Sequence, residues 1–289
     1  MYNDYFGFAE APFNITPDPN FLYLSPLHEE LLTSIVYGVQ ERKGLVVVVG
    51  EVGTGKTTML NTALEWLSRK TKAAYVCNYD MNFEELLAVA LFELGLSKTG
   101  DKLSKVEALR CLNEFARKQL SLGGNVAIIV DEAQNLEFKS MENLRLLSNM
   151  ETPKHKLIQI VLCGQPELDI KLDKPELEQL KQRVSVRLRI QPLNEKETYE
   201  YIRHRLEVAN HPGSDLFDFK ALNEIWNYTA GVPRKINILC DNALTIGFKG
   251  NTRKIARPII EEAVKDLKWE PPSEITETPE GFIINAALR

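Results

Sequence analysis

The sequence contains few of the residues that form metal centres and disulfide frameworks. Only four of its 289 residues are cysteine and only four are histidine. The cysteines lie far apart, at Cys77, Cys111, Cys163 and Cys240, and neither they nor the histidines have the spacing of metal ligands. This scarcity argues against a zinc site or a disulfide-bonded secreted domain and favours buried free thiols in a reducing compartment.

An excess of positive charge and long apolar runs are also lacking. The net charge is −5, so binding to nucleic acid or to an anionic membrane would need a local basic patch. The longest clean apolar run, Leu45 to Val49, is far shorter than the roughly 20 residues that span a bilayer. The first residues do not form a basic segment followed by an apolar one, so no secretion signal is expected. We therefore expect a cytoplasmic protein with no membrane span in this chain.

Apolar patterning divides the chain into four segments. Residues 1–26 are rich in aromatics and proline, which predicts an extended segment packed on the core. Residues 27–191 alternate strands and helices, which is typical of a parallel sheet covered on both faces. Residues 192–270 carry helical patterns only and predict a helical lid domain, and residues 271–289 predict an extended or mobile tail.

A glycine-rich motif follows the strand at Leu45 to Val49. Residues 50–57, GEVGTGKT, match the phosphate-binding pattern G-x-x-x-x-G-K-[ST], also called Walker A, and an amphipathic helix follows. Glycines let backbone N–H groups surround phosphate oxygens, and the helix directs its positive end at the same charge. The sequence therefore predicts an ATP site with these contacts: Gly50, Glu51, Val52, Gly53, Thr54, Gly55, Lys56, Thr57 and Thr58.

Two carboxylates follow a second apolar strand, Val126 to Val130. Ligands bind at the carboxyl ends of strands in open α/β sheets, which is where Asp131 and Glu132 are expected. Asp131 and the Thr57 hydroxyl are candidates to hold Mg²⁺, and Glu132 is the candidate to polarise the attacking water. The alternative is a pair of exposed acids at a strand end, which is common in isolation.

These motifs, a further strand ending in GQPEL, and a helical region carrying GVPR resemble an AAA+ ATPase. The chain resembles the general secretion pathway protein A (ExeA) family over nearly all of residues 1–270, and it also resembles TniB- and TnsC-type helper ATPases of transposition. The resemblance rests on these segments: FGF…PF…PDPNFLYLS, GEVGTGKTT, DEAQNL, LLSNMET, GQPEL, QLKQRV and GVPRKINILCDNAL. It implies a doubly wound, five-stranded parallel sheet followed by a small all-helical lid.

The resemblance also implies roles for three residues. Gln165, just beyond a strand expected between the two motif strands, is the candidate γ-phosphate sensor, although a simple turn is the alternative. Arg183 matches the arginine finger that reaches a neighbouring subunit's nucleotide; a surface salt bridge, or Arg187 as the finger, are the alternatives. Arg234 would contact the γ-phosphate from the lid, unless it is a solvated helix end. Residues 21–27 would wall the adenine.

We therefore expect an oligomeric ATPase, a ring or filament, with low intrinsic turnover and ATP and Mg²⁺ as cofactors. Its partner would be a protein of a secretion or cell-envelope assembly system. The alternative is an ATP-dependent DNA-binding adaptor that recruits or regulates a transposase. DNA binding would then depend on the most basic stretches, which are Arg203, His204 and Arg205, with Lys249, Arg253, Lys254 and Arg257.

Overall fold

The computed structural model describes residues 2–16, 18–67, 69–77, 80–98, 103–211 and 215–270. The tail expected at 271–289 lies outside the described residues. Within them, five parallel strands form one sheet in the order β2-β3-β4-β1-β5. The strands are β1 Leu45–Gly50, β2 Thr71–Cys77, β3 Asn125–Asp131, β4 Gln159–Gly164 and β5 Val184–Ile190. This confirms the predicted five-stranded parallel sheet, with β4 between the two motif strands.

Burial explains why these strands are so apolar. Every residue of the three central strands β1, β3 and β4 is buried, whereas the edge strands β2 and β5 alternate buried or half-buried residues with more exposed ones. A parallel sheet is covered on both faces, so its central strands carry continuous apolar runs. In β1, Val46 and Val48 face one hydrophobic cluster, while Val47 and Val49 face the other.

Helices cover both faces of the sheet. Helices α2 (Pro26–Gln40) and α3 (Lys56–Trp66) pack on the face of Val46 and Val48. The opposite face carries α4 (Phe83–Glu93), α5 (Lys105–Ser121), α6 (Phe138–Ser148), α7 (Pro166–Leu172) and α8 (Glu178–Lys181). Capping boxes start α4 and α5, because Asn82 and Ser104 each exchange hydrogen bonds with the glutamate three residues on.

The segment around α7 differs from the prediction. The apolar pattern of the sequence predicts one helix around residues 175–182 and only a strand end or turn at GQPEL. The structure instead has α7 from Pro166, and it divides the later stretch into a 3₁₀ turn, Pro175–Leu177, and α8. Proline at the first helical position lacks only an N–H that has no partner there anyway, so Pro166 starts a helix rather than preventing one.

The last strand ends at Ile190, and the regular elements described after it are helices. They are α9 Glu195–Val208, α10 Phe219–Thr229, α11 Pro233–Lys249 and α12 Arg257–Asp266. The turn before α11 is fixed at Gly231, whose φ is +71°. A Cβ at Gly231 would lie 1.7 Å from the backbone oxygen of Leu193, whose N–H donates to the Gly231 carbonyl at 3.0 Å. Only glycine fits this backbone contact.

The aromatic segment before α2 packs against the lid helices rather than the sheet. Phe6, Phe8, Phe13 and Phe21 are buried in the same cluster as the lid side chains. The segment is not wholly extended as expected, because a short helix, α1 (Tyr2–Phe6), precedes the first proline. The core on which it packs is therefore that of the lid.

No helix among the described residues is both long and apolar enough to cross a membrane.

Candidate nucleotide-binding site

The glycine-rich motif forms a tight turn at the carboxyl end of the central strand β1. Strand β1 ends at Gly50 and α3 begins at Lys56. The Lys56 ammonium is buried and donates to the carbonyl oxygens of Gly50 at 2.9 Å and Glu51 at 3.0 Å. The Thr54 hydroxyl donates to the Glu51 carbonyl at 2.8 Å. The loop is therefore closed around its own lysine, with the positive end of α3 behind it.

The structure brings together the two candidate metal residues. The Thr57 hydroxyl donates to Asp131 Oδ2 at 2.8 Å, and the Tyr75 hydroxyl donates to the same oxygen at 2.7 Å. Asp131 Oδ1 accepts from the Glu132 N–H at 2.9 Å, and the whole side chain is buried. Burial and the Asp131 carboxylate raise the pKa of the Tyr75 phenol, so it stays a donor.

This donor set suits Mg²⁺. A threonine hydroxyl and a carboxylate are hard oxygen ligands, and Mg²⁺ in phosphate sites uses one or two such protein groups together with phosphates and water. Among the residues that the structure describes, no three His, Cys, Asp or Glu side chains cluster as a metal cage. A hydroxyl and a carboxylate together suit a metal that is also bound by phosphate oxygens.

Glu132 adopts a left-handed backbone conformation, with φ 53° and ψ 38°. Its Oε2 accepts from Gln134 Nε2 at 2.6 Å and from Gln165 Nε2 at 3.2 Å. The Gln165 N–H in turn donates to Gln134 Oε1 at 3.0 Å. The candidate base and the candidate sensor are thus in direct contact. Gln134, which the sequence analysis gave no role, joins them.

A cavity of about 280 Å³ lies beside the loop, Glu132 and Gln165. Three parts of the chain wall it: the glycine-rich motif, the segment before α2, and the lid. The segment before α2 contributes Asn14, Phe21, Leu22, Tyr23 and Leu24, the first turn of α2 contributes His28, and the lid contributes Leu193, Tyr201, Arg205, Arg234 and Asn237, among others. Part of the expected adenine wall, residues 21–24, therefore faces this cavity.

Arg234 lies at the start of α11 and contacts the glycine-rich loop. Its N–H donates to the Gly53 carbonyl at 3.2 Å. A Cβ at Gly53 would lie 2.8 Å from Arg234 Cβ, so the lid backbone approaches the loop closely. This contact joins lid and loop directly.

Arg183 lies outside this cavity. It precedes β5, at the amino end of the sheet, whereas the loop lies at the carboxyl end. There it lines a second cavity with Lys43 and Lys156. A hydrogen bond from Lys156 lowers the pKa of Glu151, and the charge of Arg183 helps to lower it further. The alternative finger, Arg187, is ion-paired with Asp169 at 2.6 Å and Asp173 at 3.4 Å.

Charged helix faces are usually solvated, and the sequence predicts this for Arg205, but the structure shows that the prediction is wrong. The side chain is 6% exposed and lines the nucleotide cavity. It donates to the carbonyls of Pro12 at 2.6 Å and Asn14 at 3.2 Å and to the Tyr201 hydroxyl at 2.8 Å. Its guanidinium also stacks 4.7 Å from the Phe21 ring centre. Nothing near Arg205 in the sequence signals these distant partners.

Three arginines of the other basic stretches have side-chain partners in the structure. Arg203 pairs with Glu207 at 3.5 Å, and Arg257 pairs with Glu224 at 3.0 Å. The Arg253 guanidinium stacks over the Tyr5 ring. Arg203 and Arg257 thus form ion pairs with acidic side chains, and Arg253 contacts an aromatic ring.

Comparison with known proteins supports the interpretation of the fold and motifs. Residues 39–172 match the family described as AAA domain. The sequence is 39% identical to general secretion pathway protein A of Aeromonas hydrophila over 267 residues. The match covers 92% of this chain and 48% of that protein. The chain spans about half the length of this relative.

Two solved structures have a similar fold. One is Cdc6p from Pyrobaculum aerophilum, with a TM-score of 0.67 and 18% identity over 91% of this chain and 70% of that one. The other is the ORC1 protein of Aeropyrum pernix in complex with DNA, with a TM-score of 0.63 and 18% identity over 90% and 70%. At such identities these similarities concern the fold alone.

Proposed function

Because residues 39–172 match the AAA domain family, we propose that this chain binds Mg·ATP in the cavity between sheet and lid and hydrolyses it to ADP and phosphate. The observation that carries the proposal is the 2.8 Å hydrogen bond between Thr57 and Asp131, directly beside the glycine-rich loop. A candidate metal ligand at the start of α3 and a buried carboxylate at the carboxyl end of β3 meet where a triphosphate would lie.

The loop would bind the phosphates. Backbone N–H groups of residues 50–57 would surround the phosphate oxygens, and Lys56 would exchange its contacts with the Gly50 and Glu51 carbonyls for phosphate oxygens. Thr57 would be a direct ligand of Mg²⁺, and Asp131 would hold it through water. When bound, the metal neutralises negative charge that develops on the phosphate oxygens.

Hydrolysis would depend on Glu132. Its carboxylate lines the cavity and would orient and polarise the attacking water, while Gln165 beside it would sense the terminal phosphate. Arg234 would bring the lid to that phosphate. Phosphoryl transfer needs placement and charge stabilisation rather than covalent help from the protein, and these side chains suit that task.

We further propose that the site is completed by a second copy of the chain in an oligomer. Arg183 lies at the end of the sheet opposite its own glycine-rich loop, and from there it would reach the nucleotide of a neighbouring copy. An arginine finger supplied in this way can be worth about 10³–10⁵ in rate. A lone subunit would then turn over slowly, and assembly would act as the switch.

The similarity to general secretion pathway protein A supports a role as the ATPase of a secretion or cell-envelope assembly system. The partner would be a protein of that system. A cytoplasmic location suits this role, since ATP is supplied there and the four cysteines are unpaired.

A ligand-dependent melting experiment tests nucleotide binding. We expect Mg·ATP to raise the melting temperature of the wild type but not of Lys56→Ala. Lys72→Ala, which removes an exposed lysine from β2, is the matched control and should respond like the wild type. An equal Mg·ATP response in Lys56→Ala would refute the assignment of the phosphate loop.

Hydrolysis is tested with Glu132→Gln, which should keep the Mg·ATP response and lose turnover. Mixing it with Arg183→Ala tests the oligomer. Each variant alone should be nearly inactive. In the mixture, an Arg183 from the Glu132→Gln subunits can complete an intact site on the Arg183→Ala subunits. Turnover should therefore return, and its failure to return would exclude a finger acting in trans.

A further inference from the structure

The side-chain amide of Gln134 joins the ends of two strands. Gln134 lies in the 3₁₀ turn Ala133–Asn135 that follows β3. Its Nε2 donates to Glu132 Oε2 at 2.6 Å, and its Oε1 accepts from the Gln165 N–H at 3.0 Å. One amide therefore contacts both the proposed water-activating carboxylate and the residue at which β4 passes into α7.

The surrounding structure is built to hold this amide. A Cβ at residue 164 would lie 2.6 Å from Gln134 Oε1 and 3.2 Å from its backbone nitrogen, so Gly164 provides the space that the amide needs. From α7, the Lys171 ammonium donates to the carbonyls of Gln134 at 2.6 Å and Leu136 at 2.8 Å. Both the side chain and the backbone of Gln134 are thus tied to the segment after β4.

The hydrogen bonds also define which carboxylate oxygen is held. Both described side-chain donors, from Gln134 and Gln165, reach Oε2 of Glu132. Oε1 would then be the oxygen that binds a water in the cavity. Glu132 and Gln165 line that cavity, whereas Gln134 does not. Gln134 can therefore act on the reaction only through the residues that it binds.

We propose that Gln134 is a positioning residue that couples the turn between β4 and α7 to the Glu132 carboxylate. The inference rests on the proposed ATPase function. A terminal phosphate that contacts Gln165 shifts this turn, and the Gln134 amide transmits the shift to Oε2. The base is aligned only when the turn holds the amide in place, so occupancy of the phosphate site and alignment of the base are linked.

The test is Gln134→Leu, which keeps the approximate size of the side chain and removes both hydrogen bonds. We expect kcat to fall by about 10- to 100-fold, as for a catalytic group displaced by about 1 Å, with the KM for ATP unchanged. The Mg·ATP-induced rise in melting temperature should remain. Gln119→Leu, on α5 near the opposite end of the sheet, is the matched control and should leave kcat unchanged.

A double variant separates positioning from a structural role. In the Glu132→Gln background, Gln134→Leu should lower the residual kcat no further, because it acts through a carboxylate that is already gone. If the two losses multiply, or if KM rises as much as kcat falls, the proposal is overturned. If Gln134→Leu does not fold, Gln134→Asn serves instead, since its shorter amide cannot span both partners. A wild type that fails to hydrolyse ATP would refute the proposed function itself.

Discussion

Arg205 offers a sharp prediction, because its contacts connect two walls of the cavity, the segment before α2 and the lid. The side chain is buried on α9, binds two carbonyls of the segment before α2, and stacks on an aromatic ring of that segment. Arg205→Ala removes the donor and leaves the carbonyls of Pro12 and Asn14 without this partner. The Tyr201 hydroxyl still donates to Asn237 at 2.8 Å, so it loses only the bond from Arg205.

The size of the effect follows from these contacts. A hydrogen bond from a charged donor contributes about 1.5–3 kcal/mol, and a partly buried cation–π contact adds about 1 kcal/mol. Allowing for relaxation, we expect Arg205→Ala to lower the free energy of unfolding by about 4 kcal/mol. A chain of 289 residues has an unfolding entropy near the melting temperature of roughly 0.6 kcal/mol per degree. The melting temperature should therefore fall by about 7 °C.

Thermal unfolding followed by circular dichroism measures this shift. Limited proteolysis should show earlier cleavage before α2, and the Kd for ATP should rise, because the same segment walls the cavity. Arg203→Ala is the matched control two residues away. Its exposed ion pair with Glu207 should contribute no more than about 1 kcal/mol. If Arg205→Ala and Arg203→Ala melt at the same temperature, the assignment of Arg205 as the tie between segment and lid is refuted.

Three further outcomes are expected. Tyr75→Phe should raise the Mg²⁺ concentration needed for half of the Mg·ATP melting response by about 10-fold or more, because Asp131 loses a donor that orients it; an unchanged magnesium titration would contradict this. Gly231→Ala should destabilise by roughly 2–5 kcal/mol in chemical denaturation through backbone overlap, whereas Gly250→Ala, whose nearest neighbour is 3.4 Å away, should be nearly neutral. Burial lowers the pKa of His28 from its usual 6.5, so the unfolded state binds the proton better than the folded state and the melting temperature should fall as the pH falls below about 6.5. His28→Gln should make the melting temperature less dependent on pH in this range. An unaltered pH dependence would exclude His28 as its source.

The sequence predicted those parts of the site that are formed by residues adjacent in the chain. The glycine-rich loop and the Asp131–Glu132 pair each follow an apolar strand directly, so strand, turn and chemistry can be recognised together. The parallel sheet followed from alternating strands and helices, and the place of β4 between the two motif strands followed from the family resemblance.

The residues that escaped prediction are those whose partners are distant in the chain. Tyr75 contacts a carboxylate 56 residues away, and Arg205 a carbonyl 193 residues away. In the sequence, Tyr75 is one more aromatic in a strand, and Arg205 one more cation on a helix. Gln134 lies inside the quoted motif DEAQNL, but its role depends on the turn between β4 and α7. Local patterns did not predict α7, because they indicated the first helix after β4 only around residues 175–182.

The packing of the early aromatic residues on the lid has a consequence for biosynthesis. Phe6, Phe8, Phe13 and Phe21 are translated before the sheet, but the helices that bury them are translated after it. The nucleotide-binding sheet can therefore fold while the ribosome is still working, whereas the lid must wait for both of its pieces. Until α12 has emerged, these four phenylalanines remain exposed on the nascent chain. They can then bind chaperones, be cleaved by proteases or associate with other chains.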